Sequence, residues 1–216
     1  MTPMFRAAVG FALLGFGLAP NLASADLIVN DFDSAGEAWR FDFGSPILPS
    51  ISVVPTEGSP GNPMGAMRLD MTFVSSQGGN NRFAFTNDAF PAVTDLTGYA
   101  SLDFDLKIAP GAALDAFGNH GFFQFVSREG DGYGFNSVLG TNLAPNTGVW
   151  QSYSIPTSSM SATRAFTIQL YGGPSQNIDG PITLFLDNVR LVEIPEPASI
   201  ALAAAIAAAG LGFRRR

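Results

Sequence analysis

The stretch Ser101–Ile108, SLDFDLKI, alternates without exception: Leu102, Phe104, Leu106 and Ile108 fall on one side, Ser101, Asp103, Asp105 and Lys107 on the other. Side chains of a β-strand point alternately to its two faces, so this pattern specifies a strand with one buried face. Similar runs recur at 27–32, 39–43, 50–54, 66–74, 82–86, 121–127, 149–155, 165–171 and 182–192. Clusters of Gly, Pro, Asn and Asp separate them: EGSPGNP, SQGGNN, REGDGYG, APNTG and GGPSQNIDGP. No segment between 26 and 192 has the period of a soluble helix. Many short strands divided by turn signals predict an all-β fold, a two-sheet antiparallel β-sandwich of jelly-roll type.

The ends read differently. Arg6, the apolar run Ala7–Ala19, the breakers Pro20 and Asn21, and the small residues Ala23 and Ala25 before Asp26 form a secretory signal, 1–25, cleaved after Ala25. At the other end, 198–213 is apolar apart from Ser199 and stops at Arg214, Arg215 and Arg216. A helix of that length spans roughly 24 Å, short of a hydrocarbon core of ~30 Å. It has no polar face, and a basic cluster at its end suits a cytoplasmic stop. The expected organisation is a signal helix (1–25), an exported sandwich (26–192), a linker with a Pro-Glu-Pro motif (193–197), a short transmembrane helix (198–213) and a basic cytoplasmic tail (214–216).

Pro195-Glu196-Pro197, followed by the apolar run and the terminal arginines, resembles a PEP-CTERM sorting signal. That resemblance implies a Gram-negative, biofilm-forming bacterium. It also implies passage through the secretion machinery, anchoring in the inner membrane, and processing by an exosortase that recognises Pro195-Glu196-Pro197. The destination is then the cell surface or extracellular matrix. Two patches, NTGVWQSYSIP and GPITLFLDNVRLV, resemble late strands of jelly-roll carbohydrate-binding modules, and NDFDSAGEAW resembles their opening strand. This resemblance implies non-catalytic binding of extracellular polysaccharide.

The 216-residue chain has no cysteine, so no disulfide can brace an exported domain. Residues 26–192 carry 16 acidic against 7 basic side chains, a net charge of −9 that repels phosphate backbones and argues against nucleic acid. Asp187 shares strand parity with Phe185, Val189 and Leu191, and a carboxylate on an apolar face requires a partner. Asp31 and Asp33 begin a pattern like half a calcium loop, but Ala35 and Asp42 stand where a helix-loop-helix hand needs other ligands. The binding-module resemblance implies a structural Ca²⁺ near Asp31, Asp33 and Asp187. Without one, Asp187 is expected at a β-bulge accepting backbone N–H bonds, or paired with an arginine.

Among the aromatics, alternating Phe is core, and Trp150 is expected as a buried structural residue. Tyr133 and Tyr171, beside Gly-rich turns, are the candidate sugar platforms. Catalysis has little to draw on. His120 is the only histidine. Asp103 and Asp105 are separated by roughly 6.6 Å of strand rise, within glycosidase range, but acids on a regular outward face are ordinarily solvated. The sequence thus predicts a non-enzymatic glycan-binding protein. A hydrolase using a carboxylate pair, or a structural matrix protein without a defined ligand, are the alternatives.

Overall fold

The computed structural model describes residues 26–32, 39–60, 65–160, 162–173 and 175–194. The signal segment 1–25, Asp33, the motif Pro195–Pro197, the run 198–213 and the arginines 214–216 lie outside the described residues. Asp26–Ile194 forms one compact unit.

The unit is a sandwich of two antiparallel sheets. Among the described residues eleven strands run β1 Leu27–Asn30, β2 Trp39–Gly44, β3 Ser50–Val54, β4 Ala66–Phe73, β5 Arg82–Asn87, β6 Tyr99–Ile108, β7 Phe122–Glu129, β8 Gly134–Asn142, β9 Gln151–Pro156, β10 Thr163–Tyr171 and β11 Gly180–Glu193. The only helical turns among the described residues are short 3₁₀ pieces at Ser75–Asn80 and Thr157–Ser159, and no helix there is long and apolar enough to cross a membrane. One sheet has the order β3-β4-β11-β6-β9, with β1 also pairing to β11; the other has the order β2-β5-β10-β7-β8. Each sheet is therefore centred on one of the last two strands of the domain.

The alternation in β6 resolves as expected. Leu102, Phe104, Leu106 and Ile108 are all buried, facing Phe83, Phe85, Phe123, Phe125, Phe166, Ile168 and Leu170 of the opposite sheet. Phe104 stacks on Phe125 at 4.8 Å between ring centroids and on Tyr153 at 5.2 Å. Phe73 meets Phe83 edge-on at 4.9 Å. These aromatic faces supply the stability that disulfides supply elsewhere. Trp39 is also buried, its Nε1 donating to Asn30 Oδ1 at 2.9 Å and so tying β2 to β1.

Three expectations need correction. Strand β8, 134–142, carries no clear alternation and reads as turn in the sequence; it is an edge strand with little buried surface. Trp150 is half-buried on an outer face, where the Lys107 ammonium lies 4.7 Å from its ring centroid and 4.7 Å from that of Phe185. Asp187 does not share the apolar face of Val189 and Leu191. The pairing of β11 with β6 shifts register between Asp187 and Arg190, and Asn188 sits at φ 55°. Asn tolerates this left-handed conformation, and the extra residue reverses the alternation. Ile182, Leu184 and Leu186 point inward before the bulge and Val189 and Leu191 after it, leaving Phe185 and Asp187 on the outer side.

Candidate functional site

On the outer face of the β2-β5-β10-β7-β8 sheet, a row of side chains crosses the strands. Tyr171 is paired in register with Arg82 on one side and Phe122 on the other. The Arg82 guanidinium lies over the Phe43 ring at 5.1 Å and near the Tyr171 ring at 5.8 Å; the Tyr171 and Phe122 rings are 6.3 Å apart. The sequence puts them there by parity. In AFTIQLY, Phe166, Ile168 and Leu170 take the core, so Thr167, Gln169 and Tyr171 face out. In FFQFVSR, Phe123 and Phe125 take the core, so Phe122, Gln124 and Arg128 face out.

Behind this row the next register pair is Gln169 and Gln124. Gln169 is fully covered; its Oε1 accepts the Tyr171 hydroxyl while its Nε2 has no partner. Gln124 donates to Ser137 Oγ at 2.9 Å. A Cβ at Gly140 would come within 2.7 Å of Phe122 Cζ, so the absence of a side chain there lets the Phe122 ring lie down on β8. One row further on, Asp42 accepts from Thr86 at 3.0 Å and from Arg128 at 3.0 Å, and Arg40 lies 3.6 Å away.

Beside Tyr171 and Phe122 opens a recess of about 330 Å³, lined also by Gln124, Gly79, Gly173, Ser175 and Gln176. Its walls are two loops held by one buried residue, Asn81. The Asn81 Oδ1 accepts from Val74 N at 2.8 Å, and its Nδ2 donates to Gly172 O at 3.1 Å and Ile178 O at 2.9 Å. Both N–H groups of that amide and its oxygen are engaged, which fixes both loops relative to the sheet. The Gly172-Gly173 pair is sterically required. A Cβ at Gly172 would lie 2.2 Å from the Phe73 ring, and one at Gly173 would lie 2.6 Å from Gly78 O.

Of the two sequence-nominated platforms, Tyr171 stands in this row. Tyr133 lies at the β7–β8 turn, near the start of β10, where Arg164 Nε donates to its hydroxyl at 3.3 Å. The nine residues of β10 separate the two ends, roughly 26 Å of strand. Arg82, Phe43, Phe122, Gln124 and Gln169 were not nominated by the sequence; the outward half of each strand's alternation was the available signal.

The carboxylates considered for chemistry lie on the other sheet. Asp103 and Asp105 are not solvated as expected: Asp105 is buried. Its Oδ1 accepts from Ser152 Oγ at 2.5 Å and its Oδ2 from Asn188 Nδ2 at 3.2 Å. Asp103 Oδ1 accepts from Ser101 Oγ at 2.8 Å and Ser154 Oγ at 2.7 Å. Asp187, fully buried and opposite Asp105 in register, accepts Ser59 N at 2.7 Å on Oδ2 and Asn188 N at 2.6 Å on Oδ1. This is the bulge arrangement anticipated as the alternative to metal. First and last strands do pair, Asn30 standing opposite Val189, which brings the chain at Asp31 to the bulge. Among the described residues, however, no group of three or more acidic or histidine side chains is placed to hold a metal ion. A calcium shell there would depend on Asp33. His120 is buried in its loop, with Nδ1 2.8 Å from Ala113 O.

Comparison with known proteins places the fold. No family model matches the chain, and no curated protein matches it by sequence. Among solved structures it is similar to a CBM28 carbohydrate-binding module specific for non-crystalline cellulose, with TM-score 0.57 and 12% identity over 78% of this chain and 98% of that one. It is also similar to part of an exo-beta-agarase, with TM-score 0.53 and 14% identity over 79% of this chain and 25% of that one. An arabinose-bound GH51 α-L-arabinofuranosidase gives TM-score 0.53 and 15% identity over 78% of this chain and 26% of that one. The domain thus has the sandwich fold of carbohydrate-binding modules. It matches only about a quarter of each enzyme.

Proposed function

We propose that this is an exported surface or matrix protein of a Gram-negative bacterium, membrane-anchored or released by an exosortase, whose sandwich binds extracellular polysaccharide without cleaving it. The binding reading is carried by the row Phe43–Arg82–Tyr171–Phe122 beside the recess. Flat ring faces suit the C–H face of a sugar, and amide and guanidinium donors suit its oxygens, the mixture of apolar wall and few placed polar groups that small-ligand sites use. The likeness to a CBM28 module supports the same reading. Against hydrolysis stands the state of the acids. Asp42, on the proposed face, is held by Arg40 and Arg128, and Asp103 and Asp105 are engaged by serine hydroxyls. Export and anchoring rest on the terminal segments, and a Ca²⁺ tie on Asp31, Asp33 and Asp187 is proposed because β1 and β11 pair beside the bulge.

The test is affinity electrophoresis of the full chain through gels containing soluble polysaccharides. Retardation is expected with at least one glycan and should be lost in Tyr171→Ala and Phe122→Ala. Free migration in every gel would leave the structural-matrix reading in its place. Shortening of a polysaccharide, abolished by substituting one carboxylate, would establish the hydrolase instead.

A further inference from the structure

We propose that the glycan taken by this face is anionic, a polysaccharide bearing carboxylate or sulfate groups, and that Arg82 receives the charged group. The inference rests on the glycan-binding reading above and adds the charge of the ligand.

The first observation is how the cations are partnered. Arg40, Arg68, Arg128 and Arg190 each lie within 4 Å of an aspartate, and Lys107 pairs with Glu57. Arg164 donates to the Tyr133 hydroxyl and to Pro91 O. Among the described cations Arg82 differs: it has neither a carboxylate nor a side-chain hydrogen bond, only the Phe43 and Tyr171 rings beside it. Rings hold a guanidinium in place without using its in-plane donors. Arg82 is therefore held between two rings beside Tyr171, which lines the recess, with no carboxylate of the protein on its guanidinium.

The second observation concerns polar satisfaction across the whole face. Three covered side-chain nitrogens there lack a partner: Arg82 Nε, Arg128 Nε and Gln169 Nε2. All three are donors. The other unpartnered atoms, Ser59 Oγ, Asp115 Oδ2, His120 Nε2 and Arg190 Nε, are elsewhere in the fold. Being covered, these three do not themselves reach a ligand; the donors left for one are the Arg82 Nη groups, which no carboxylate of the protein engages.

The third observation is the local charge. Arg40, Arg82 and Arg128 stand against Asp42 and Asp88, and both aspartates are already bridged by Arg40 or Arg128. The face is locally positive in an acidic domain. Screening confines each exposed charge to roughly 8 Å at physiological salt, so the ligand meets the local field rather than the net charge. A neutral sugar could accept one bond from Arg82 but would cover its charge without compensating it, which is costly. A carboxylate or sulfate takes two parallel N–H bonds and neutralises it.

The test compares matched polymers that differ only in charge, by affinity electrophoresis of the full chain: polygalacturonate against its carboxyl-reduced form, and dextran sulfate against dextran. The charged member of at least one pair should bind roughly ten- to a hundredfold more tightly than its neutral partner, the range for a hydrogen bond to a charged group. The preference should weaken with salt, vanish in Arg82→Gln and persist in part in Arg82→Lys, which keeps the charge but not the fork. The pair that responds identifies carboxylate or sulfate. Equal binding of charged and neutral members, or a preference that survives Arg82→Gln, overturns the proposal. If Tyr171→Ala still abolishes that equal binding, the glycan reading stands without it. If no polymer retards the wild-type chain, both fall. The wild-type comparison does not depend on any variant folding.

Discussion

Replacing Asp187 with alanine should be among the most damaging single changes in the domain. Its carboxylate is fully buried and accepts two backbone N–H groups, Ser59 at 2.7 Å and Asn188 at 2.6 Å. The first anchors the β3–β4 connection to β11; the second stabilises the bulge that returns Val189 and Leu191 to the core. Hydrogen bonds to a charged group contribute about 1.5–3 kcal/mol each, and alanine would also leave two donors without their acceptor. A loss of roughly 3–5 kcal/mol follows, which for a domain of this size lowers Tm by about 6–20 °C. Asp187→Asn keeps one acceptor oxygen and should lose about half as much. Thermal unfolding of the full chain followed by circular dichroism measures both, and a fall of less than about 3 °C for Asp187→Ala would refute the reasoning. The same melts test calcium. If an ion binds at Asp31, Asp33 and Asp187, added Ca²⁺ at a hundred times Kd adds about 2.7 kcal/mol of stability and raises the wild-type Tm, and chelator lowers it. Mg²⁺ substitutes poorly and Asp187→Ala no longer responds. A wild-type Tm indifferent to both after metal removal leaves Asp187 as a backbone-bonded bulge residue only.

Gly140→Ala should push the Phe122 ring off β8, weakening glycan retardation several-fold while changing Tm little; unchanged retardation would remove Phe122 from the site. Burial is the largest single influence on Asp70 and works to raise its pKa. Hydrogen bonds from Arg68 and Thr183, the Arg68 charge and a bond from Ser50 together outweigh it and hold the carboxyl below its ordinary value of 3.8. A depressed acid stabilises the fold above the unfolded pKa and loses that contribution as pH falls through the folded one, so the cost of Asp70→Asn should be full at pH 7 and shrink below about pH 4; a cost constant from pH 7 to 2 would contradict this. Replacing Pro195, Glu196 and Pro197 together with alanine should leave unprocessed, membrane-retained protein, and an unchanged mature mass and location would refute the sorting reading.

The sequence showed the fold where burial was one-sided and local. Leu102, Phe104, Leu106 and Ile108 declared their face because every second residue had to avoid water. Strand β8 was hidden because an edge strand buries too little for its alternation to be selected, and Gly134 and Gly140 read as turn. Asp187 was misplaced because parity assumes an unbroken strand. Asn188, able to adopt positive φ, was the residue that broke it, and only the register of β11 against β6 reveals the reversal. The candidate site was half visible. Parity alone set Gln169 with Tyr171, but Arg82, Tyr171 and Phe122 become neighbours only when β5 and β7 flank β10, pairings between segments tens of residues apart. Tyr133 and Tyr171 looked equivalent in sequence because each adjoins a Gly-rich turn, though they occupy opposite ends of one sheet.

The two central strands, β10 and β11, are the last among the described residues. Until Thr163–Tyr171 is available, β5 and β7 have no strand between them; until Gly180–Glu193 is, β1, β4 and β6 have none either. The first nine strands can therefore pair only two by two, as β2-β5, β3-β4, β6-β9 and β7-β8, without closing the two sheets, and long-range pairings of this kind are slow to form. Closure of both sheets waits until almost the whole domain has been made. The cost is a period in which unpaired Phe-rich edges are open to aggregation, and a chain truncated before residue 163 lacks the centre of both sheets.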